Sequence, residues 1–170
     1  MKNISFRNDV LPLKNVLYRL ALRITLSHEE AEDIVQETLI KVWNKRESWE
    51  EIESIEAFSL TICRNLALDC VKRHGHLAES LEERPVETSD HSSNPFEKTL
   101  QRDRIELVRN IVNALPEKQR SCMQLRDFEG KAYKEIAEIL DISEEQVKIN
   151  IFRARQTVKE RFKRYDNYGL

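Results

Sequence analysis

The sequence predicts an all-α protein made of two small helical domains, and three observations support this fold class. Glycine and proline together account for only seven of the 170 residues, so few positions interrupt a helix. Apolar residues recur at helical spacing along both halves, and no long alternating β-branched run indicates a sheet. The acidic stretch 79–98 contains two prolines and four serines, and we interpret it as a linker between domains 1–78 and 99–170.

The overall composition argues against a secreted or membrane-spanning protein, and the net charge of the whole chain indicates no binding partner. Net charge is −2, yet residues 145–164 hold seven basic and two acidic side chains, so positive charge is concentrated near the C-terminus. Cys63, Cys70 and Cys122 include no CxxC pair, and we expect reduced thiols in the core. No signal peptide or membrane-length apolar run is visible, which predicts a cytoplasmic protein without membrane insertion.

The first domain contains an acidic helix with a well-marked start. It follows a first amphipathic helix over 13–25, and Ser27 with Glu30 forms a capping box at the beginning of segment 27–43. One side of the second helix is apolar, whereas the other mixes acids with an isoleucine. That outer side is either a solvated surface, which periodicity alone favours, or a docking face for a basic, partly apolar partner. It consists of Glu32, Asp33, Gln36, Glu37 and Ile40.

A helix predicted over 60–76 ends in a cluster of cations. Its buried residues are expected to be Ile62, Leu66 and Val71. Positive charge at a helix C-terminus also suits the helix dipole, so the cluster needs no ligand to explain it. The histidines have no ligand partners at metal spacing, and we predict no metal site. The cluster consists of Lys72, Arg73, His74 and His76.

The second domain carries a pattern typical of a helix-turn-helix. Predicted helices over 100–115 and 117–130 come first, and the second ends at the C-cap Gly130. A short helix over 133–140, a turn, and a long basic helix capped by Ser143 and Gln146 follow. The inner face of the last helix consists of Val147, Ile151, Ala154, Val158 and Phe162, and its outer face of Glu145, Lys148, Ile149, Phe152, Arg153 and Gln156.

This outer face favours DNA binding over a solvated surface. Ile149 and Phe152 could pack against thymine methyl groups in a major groove, while Lys148 and Arg153 reach phosphates or guanine edges. A helical bundle whose basic face meets an acidic protein or water is the alternative. Because Glu144 and Glu145 repel phosphate, the domain alone should bind DNA weakly, and a larger partner is expected to hold it there.

The order of the motifs resembles bacterial RNA polymerase sigma factors of the extracytoplasmic-function (ECF) family. "AEDIVQETLIKVW" is similar to the helix that docks on the β′ clamp helices of core polymerase. "TICRNLALDCVKR" resembles the segment that recognises and opens the minus-ten element. "ALPEKQR", "LRDFEGKAYKEIAEILDIS" and "VKINIFRARQ" resemble the domain that reads the minus-thirty-five element. The resemblance covers nearly the whole chain.

The resemblance implies a role for each surface. Asp33, Gln36, Glu37 and Ile40 would bind polymerase, and the acidic linker would thread the RNA-exit path. Arg64, Asn65, Lys72 and Arg73 would contact minus-ten DNA, with Asn65 at an extruded base and the Trp49–Ala57 stretch carrying the pocket loop. The residues implied at the minus-thirty-five element are Arg126, Tyr133, Lys134, Lys148, Ile149, Phe152 and Arg153. Glu145 and Gln146 replace a frequent Gly-Thr pair, so the base preference is not implied.

The implied partners are core RNA polymerase, through its β′ clamp helices and β flap, promoter DNA, and an anti-sigma factor. Polymerase would supply the catalysis, so this chain is predicted to have no catalytic residue, metal or cofactor of its own. A stand-alone helix-turn-helix repressor or activator is the first alternative, but it leaves the acidic linker and the 29–43 face without a role. An enzyme is the second, and no nucleophile–base pair or phosphate loop supports it.

Overall fold

Seven α-helices and no strand make up the part of the chain that the structure, a computed structural model, describes: residues 3–78 and 96–168. The all-α prediction is confirmed. Four short 3-10 or π-helical segments, Phe6–Val10, Leu11–Leu13, Arg46–Glu51 and Gln124–Phe128, complete the described elements. The α-helices are α1 (Lys14–Thr25), α2 (His28–Asn44), α3 (Ile55–Ala78), α4 (Phe96–Asn113), α5 (Glu117–Met123), α6 (Tyr133–Leu140) and α7 (Glu144–Tyr168).

Helices α1, α2 and α3 pack together, and α1 and α2 do so through the faces that periodicity predicts. Leu17 and Leu20 of α1 are fully buried, and so are Leu60 and Cys63 of α3. The apolar side of α2 faces inward as expected. Its one buried polar residue is Thr38, whose hydroxyl donates to the Ile34 carbonyl at 2.7 Å. That side consists of Ala31, Val35, Thr38 and Val42.

The second half folds around α7. Its inner residues Val147, Ile151 and Ala154 are buried against α5 and α6, while Val158 and Phe162 are partly buried. Gly130 ends the preceding segment at φ +68°, a conformation that glycine adopts at little cost, so the predicted cap is confirmed. Its N–H donates to the Arg126 carbonyl at 3.1 Å.

Several details differ from the sequence expectations. Val71 is 41% exposed, and Ile62 and Leu66 are only partly buried, because Cys63, Ala67 and Cys70 take the inner positions of α3. Helix α4 begins at Phe96, so the last residues assigned to the linker are helical, and residues 79–95 lie outside the described part. The Trp49–Ala57 stretch is only partly a loop. Trp49 belongs to a 3-10 helix and buries its ring, donating from Nε1 to the Val42 carbonyl at 3.0 Å, whereas Ile55–Ala57 begin α3.

The two halves pack directly on each other. One cluster of buried residues contains Leu17 and Leu60 from the first half together with Leu125, Ile136 and Leu140 from the second. Polar pairs surround it and join residues far apart in sequence. Arg19 pairs with Glu129, Arg23 donates to Gln124 and Asn113, Arg64 pairs with Glu117, and Lys131 pairs with Glu56.

Candidate nucleic-acid interface

Helices α6 and α7 form the predicted helix-turn-helix, and the turn between them is fixed by backbone geometry. Asp141 adopts the left-handed conformation at φ 54°, which Asp tolerates better than most residues. The Ile142 N–H donates back to the Ala137 carbonyl at 3.1 Å. Ser143 and Gln146 then form the predicted reciprocal cap, at 3.1 and 3.2 Å, so the start of α7 is held in place.

The outer face of α7 presents a mixed apolar and basic surface. Ile149 is 41% exposed and Phe152 is 63% exposed, and Lys148 and Arg153 beside them are also exposed. Since large apolar side chains on a helix surface cost free energy in water, they favour a surface that becomes covered. The arrangement suits a major groove, where apolar groups meet thymine methyls and cations meet phosphates.

Tyr133, at the start of α6, connects this face to the preceding segment. The Arg126 guanidinium lies 4.3 Å from its ring centroid, and the Lys148 ammonium lies 5.6 Å from it. Arg126 also donates to the Lys131 carbonyl at 2.9 Å, so its position is fixed from two directions. The structure therefore brings three of the predicted minus-thirty-five residues into one cluster. Lys134, the residue that follows Tyr133 in α6, is exposed.

Part of the positive charge of α7 is neutralised within the protein. Arg155 forms an ion pair with Asp127, which raises the pKa of this arginine through hydrogen bonding and charge. The local basic excess counted from sequence thus overstates the charge that a polyanion would meet.

The predicted minus-ten residues divide into two groups. Asn65, Lys72 and Arg73 are exposed on α3. Arg64, by contrast, is 7% exposed: it donates to both carboxylate oxygens of Glu117, at 3.3 and 3.2 Å, and approaches the Leu140 carbonyl at 3.5 Å. In this arrangement of the two halves Arg64 joins them and does not face solvent.

The four predicted polymerase-binding residues are all exposed along one side of α2. Ile40 is 60% exposed, between the acidic positions and the end of the helix. Sequence reasoning missed Trp43, which is 44% exposed and lies three residues beyond Ile40 on the same side. Its ring contacts Phe6 and Trp49 edge to face and carries the Arg46 guanidinium at 4.6 Å. The signal for it was the helical spacing from Gln36 and Ile40. The predicted set is Asp33, Gln36, Glu37 and Ile40.

A second feature that the sequence did not predict lies between α2 and α3. The Ser27 hydroxyl accepts from the Glu30 N–H at 3.3 Å, but the Glu30 carboxylate does not return the bond that a capping box requires. It contacts His74 Nε2 at 2.8 Å and Cys70 Sγ at 3.2 Å instead. The expectation that His74 has no ligand-type partners is therefore wrong. Hydrogen bonding to Cys70 lowers the pKa of Glu30, with a smaller contribution from His74.

The three cysteines are free and buried, as predicted. Burial raises the pKa of both Cys63 and Cys122 to about 12, so neither thiol is activated for nucleophilic chemistry. Burial also raises the pKa of Cys70, to about 11, and the Glu30 carboxylate adds to the shift.

No helix in the described ranges is long and apolar enough to span a bilayer.

The chain matches two families along the two halves that the structure shows. Residues 10–76 match sigma-70 region 2, and residues 105–158 match sigma-70 region 4. The probable RNA polymerase sigma factor RfaY of Xanthomonas campestris is 30% identical over 164 residues, covering 94% of this chain and 41% of that protein. The ECF sigma factor SigE of Mycolicibacterium smegmatis is 30% identical over 149 residues, covering 85% and 56%. The chain thus spans about half the length of these relatives.

A solved structure shares the fold. The sigma factor RpoE of Bartonella quintana, in complex with the anti-sigma factor NepR, superimposes with a TM-score of 0.75 at 24% identity, covering 93% of this chain and 96% of that one. The two helical domains and their matches define a sigma-70-type protein. More narrowly, the chain belongs to the extracytoplasmic-function sigma factors. Sigma factors are non-enzymatic initiation factors, which agrees with the predicted class.

Proposed function

We propose that this chain binds core RNA polymerase, directs it to a subset of promoters and supports opening of the minus-ten region. The observation that carries the proposal is that one chain exposes two complementary surfaces: the acidic and apolar side of α2, and the basic and apolar side of α7. Both lie within the matched sigma-70 regions. Polymerase would provide the active centre, and the protein would act in the cytoplasm with the chromosome.

The α2 surface supports contact with a basic, partly apolar partner. Asp33 and Glu37 provide negative charge, while Ile40 and Trp43 provide apolar area beside it. This combination fits the proposed docking on the β′ clamp helices, where charge would guide association and burial of Ile40 would add affinity. We further propose that the second domain meets the β flap.

The helix-turn-helix supports contact with duplex DNA at the minus-thirty-five element. Lys148, Ile149, Phe152 and Arg153 would meet the groove, while Arg126, Tyr133 and Lys134 would contact the backbone near the start of α6. On α3, Asn65 would receive an extruded minus-ten base, and Lys72 and Arg73 would contact the adjacent backbone. Arg64 could join them only if the two halves separate, because Glu117 holds it in the compact arrangement.

An anti-sigma factor is proposed as a further partner. The Bartonella relative of the same fold forms a complex with such a factor. The compact packing of the two halves buries Arg64, and a protein that stabilised this packing would keep the chain from a promoter. The domain boundaries at 78 and 99 are part of the same proposal.

Transcription in vitro tests the proposal directly. Purified full-length protein is mixed with core polymerase and genomic fragments, and transcript starts are mapped. We expect starts that depend on the added protein, and Arg153→Ala should weaken those with a minus-thirty-five element. A stand-alone regulator would instead shift duplex DNA without core enzyme and produce no new starts.

Core binding is tested separately by changing the α2 surface. Asp33→Lys should weaken affinity for core polymerase by about 10-fold or more, because it places a cation against a basic partner. Glu47→Lys makes the same charge change at an exposed position off this side of α2 and should bind as wild type. Fluorescence anisotropy with labelled protein gives both affinities. Equal affinities for Asp33→Lys and wild type would contradict the assigned docking surface.

A further inference from the structure

The side chains of Glu30, Cys70 and His74 form a cluster of potential metal ligands, and none of the three belongs to the residue sets assigned above to polymerase or DNA. One ligand-type atom from each residue lies within 4.8 Å of the other two. Cys70 and His74 occupy positions i and i+4 of α3, so they project from the same side of the helix, a spacing that suits two ligands of one ion. Glu30 approaches from the first turn of α2.

The cluster combines a thiol, an imidazole and a carboxylate. Tetrahedral Zn²⁺ sites use these donor types at about 2.0–2.3 Å, which separates neighbouring ligand atoms by about 3.3–3.8 Å. In the structure Glu30 Oε1 lies 2.8 Å from His74 Nε2 and Glu30 Oε2 lies 3.2 Å from Cys70 Sγ, so side-chain rotation within the 4.8 Å cluster would bring the ligand atoms to those values. His74 is about half exposed and Glu30 about one third, so both can adjust.

The surroundings favour a cation. The cluster borders an open recess of about 380 Å³ whose lining includes Thr25, Ser27, a second carboxylate from Glu29, and Val71. Among the described residues that line the recess there is no Lys or Arg, although Arg73 acts on Glu30 from longer range. A water molecule or Glu29 could therefore supply a fourth ligand from the open side.

We infer that Glu30, Cys70 and His74 bind a divalent transition-metal ion of the Zn²⁺ type and so tie the start of α2 to the end of α3. On binding, the Cys70 thiol loses its proton to solvent. His74 Nε2 loses its hydrogen bond to Glu30 and coordinates the ion as the neutral tautomer protonated on Nδ1. The ion would fix the end of α3 that carries Lys72 and Arg73.

Metal titration of the full-length protein tests this inference without reference to transcription. Protein treated with EDTA and desalted is titrated with Zn²⁺ against a chromophoric chelator, and with Co²⁺ while its absorption spectrum is recorded. We expect saturation at one ion per chain and a thiolate-to-Co²⁺ charge-transfer band. Cys70→Ser should abolish the band. His74→Gln should weaken Zn²⁺ affinity by more than about 100-fold, since even outer-shell partners contribute about 10- to 100-fold.

Matched variants keep the test decisive. Cys122→Ser and His28→Gln remove a thiol and an imidazole outside the cluster and should bind Zn²⁺ as wild type. His74 is exposed, so His74→Gln should fold, and circular dichroism in EDTA checks Cys70→Ser. Zn²⁺ should raise the melting temperature of wild type but not of either cluster variant. Failure of the wild type to bind Zn²⁺ saturably would overturn the inference and leave a purely hydrogen-bonded cluster. Zn²⁺ affinity unchanged in His74→Gln would overturn it as well, because the ion would then bind elsewhere.

Discussion

Replacing Phe152 by alanine separates the role of this ring in DNA binding from any role in folding. The residue is 63% exposed on α7, so its removal should change the free energy of unfolding by no more than about 0.5 kcal/mol. A phenylalanine presents about 200 Å², and the exposed 63% of it corresponds to about 125 Å². At about 25 cal/mol per Å², covering half to all of that area contributes about 1.5–3 kcal/mol, or about 10- to 150-fold in affinity.

The assay is binding of the polymerase holoenzyme to a fluorescent promoter fragment chosen from the mapped starts. Tyr165→Ala is the matched control, because Tyr165 is also on α7 and 57% exposed but lies about three turns beyond the residues assigned to DNA. Denaturant unfolding of both variants shows whether either loses stability. Equal promoter affinity in the two variants would refute the assignment of the α7 outer face to the groove.

Two further predictions concern stability. Glu117→Ala should lower the free energy of unfolding in urea by about 1–3 kcal/mol, because it leaves the Arg64 side chain, 9% exposed, without its carboxylate. Asp127→Ala removes a more exposed pair with Arg155 and should cost less than about 1 kcal/mol; equal costs would contradict the role assigned to burial. Glu30→Gln in EDTA should be less stable than wild type at pH 7. The folded-state pKa of Glu30 is lowered by its bonds to Cys70 and His74, so this stabilisation is present above the ordinary value of 4.5 and lost as pH falls below it. Urea unfolding at several pH values should show the free energies of unfolding of wild type and Glu30→Gln converging as the pH falls. A stability difference that grew in acid would show that the ionised Glu30 carboxylate is not its source.

Faces of individual helices followed from the sequence because burial repeats with the period of the helix. The inner positions of α2, such as Val35 and Thr38, and of α7, such as Val147 and Ile151, are buried as predicted. The cap of α7 was equally predictable, since Ser143 and Gln146 are three residues apart and their bonds are local. Val71 was misassigned because the inner face of α3 includes small and sulfur-containing residues, Cys63, Ala67 and Cys70, which carry a weak apolar signal.

The fate of polar side chains could not be predicted in the same way. Glu30 has the spacing of a capping box, yet its carboxylate contacts His74, 44 residues away. A surface carboxylate can accept a hydrogen bond from a local backbone N–H or from a distant side chain. Tertiary packing determines which of these donors lies within hydrogen-bond distance. Helical spacing was sufficient to predict that Trp43 lies beside Ile40. The burial of Trp49 could not be predicted in this way, because it depends on the hydrogen bond from Trp49 Nε1 to the Val42 carbonyl.

The sequence alone determined the helices, most of their inner and outer faces and the helix-turn-helix, because each depends on residues within a few turns of one another; it also determined the family resemblance, because the order of motifs along the chain needs no tertiary contact. Only the tertiary structure decided that the halves share one core, that Arg64 meets Glu117 across 53 residues, and that a thiol, an imidazole and a carboxylate converge between α2 and α3. Such pairings depend on how helices approach in space, and helical periodicity specifies which side of a helix is buried without specifying which partner covers it.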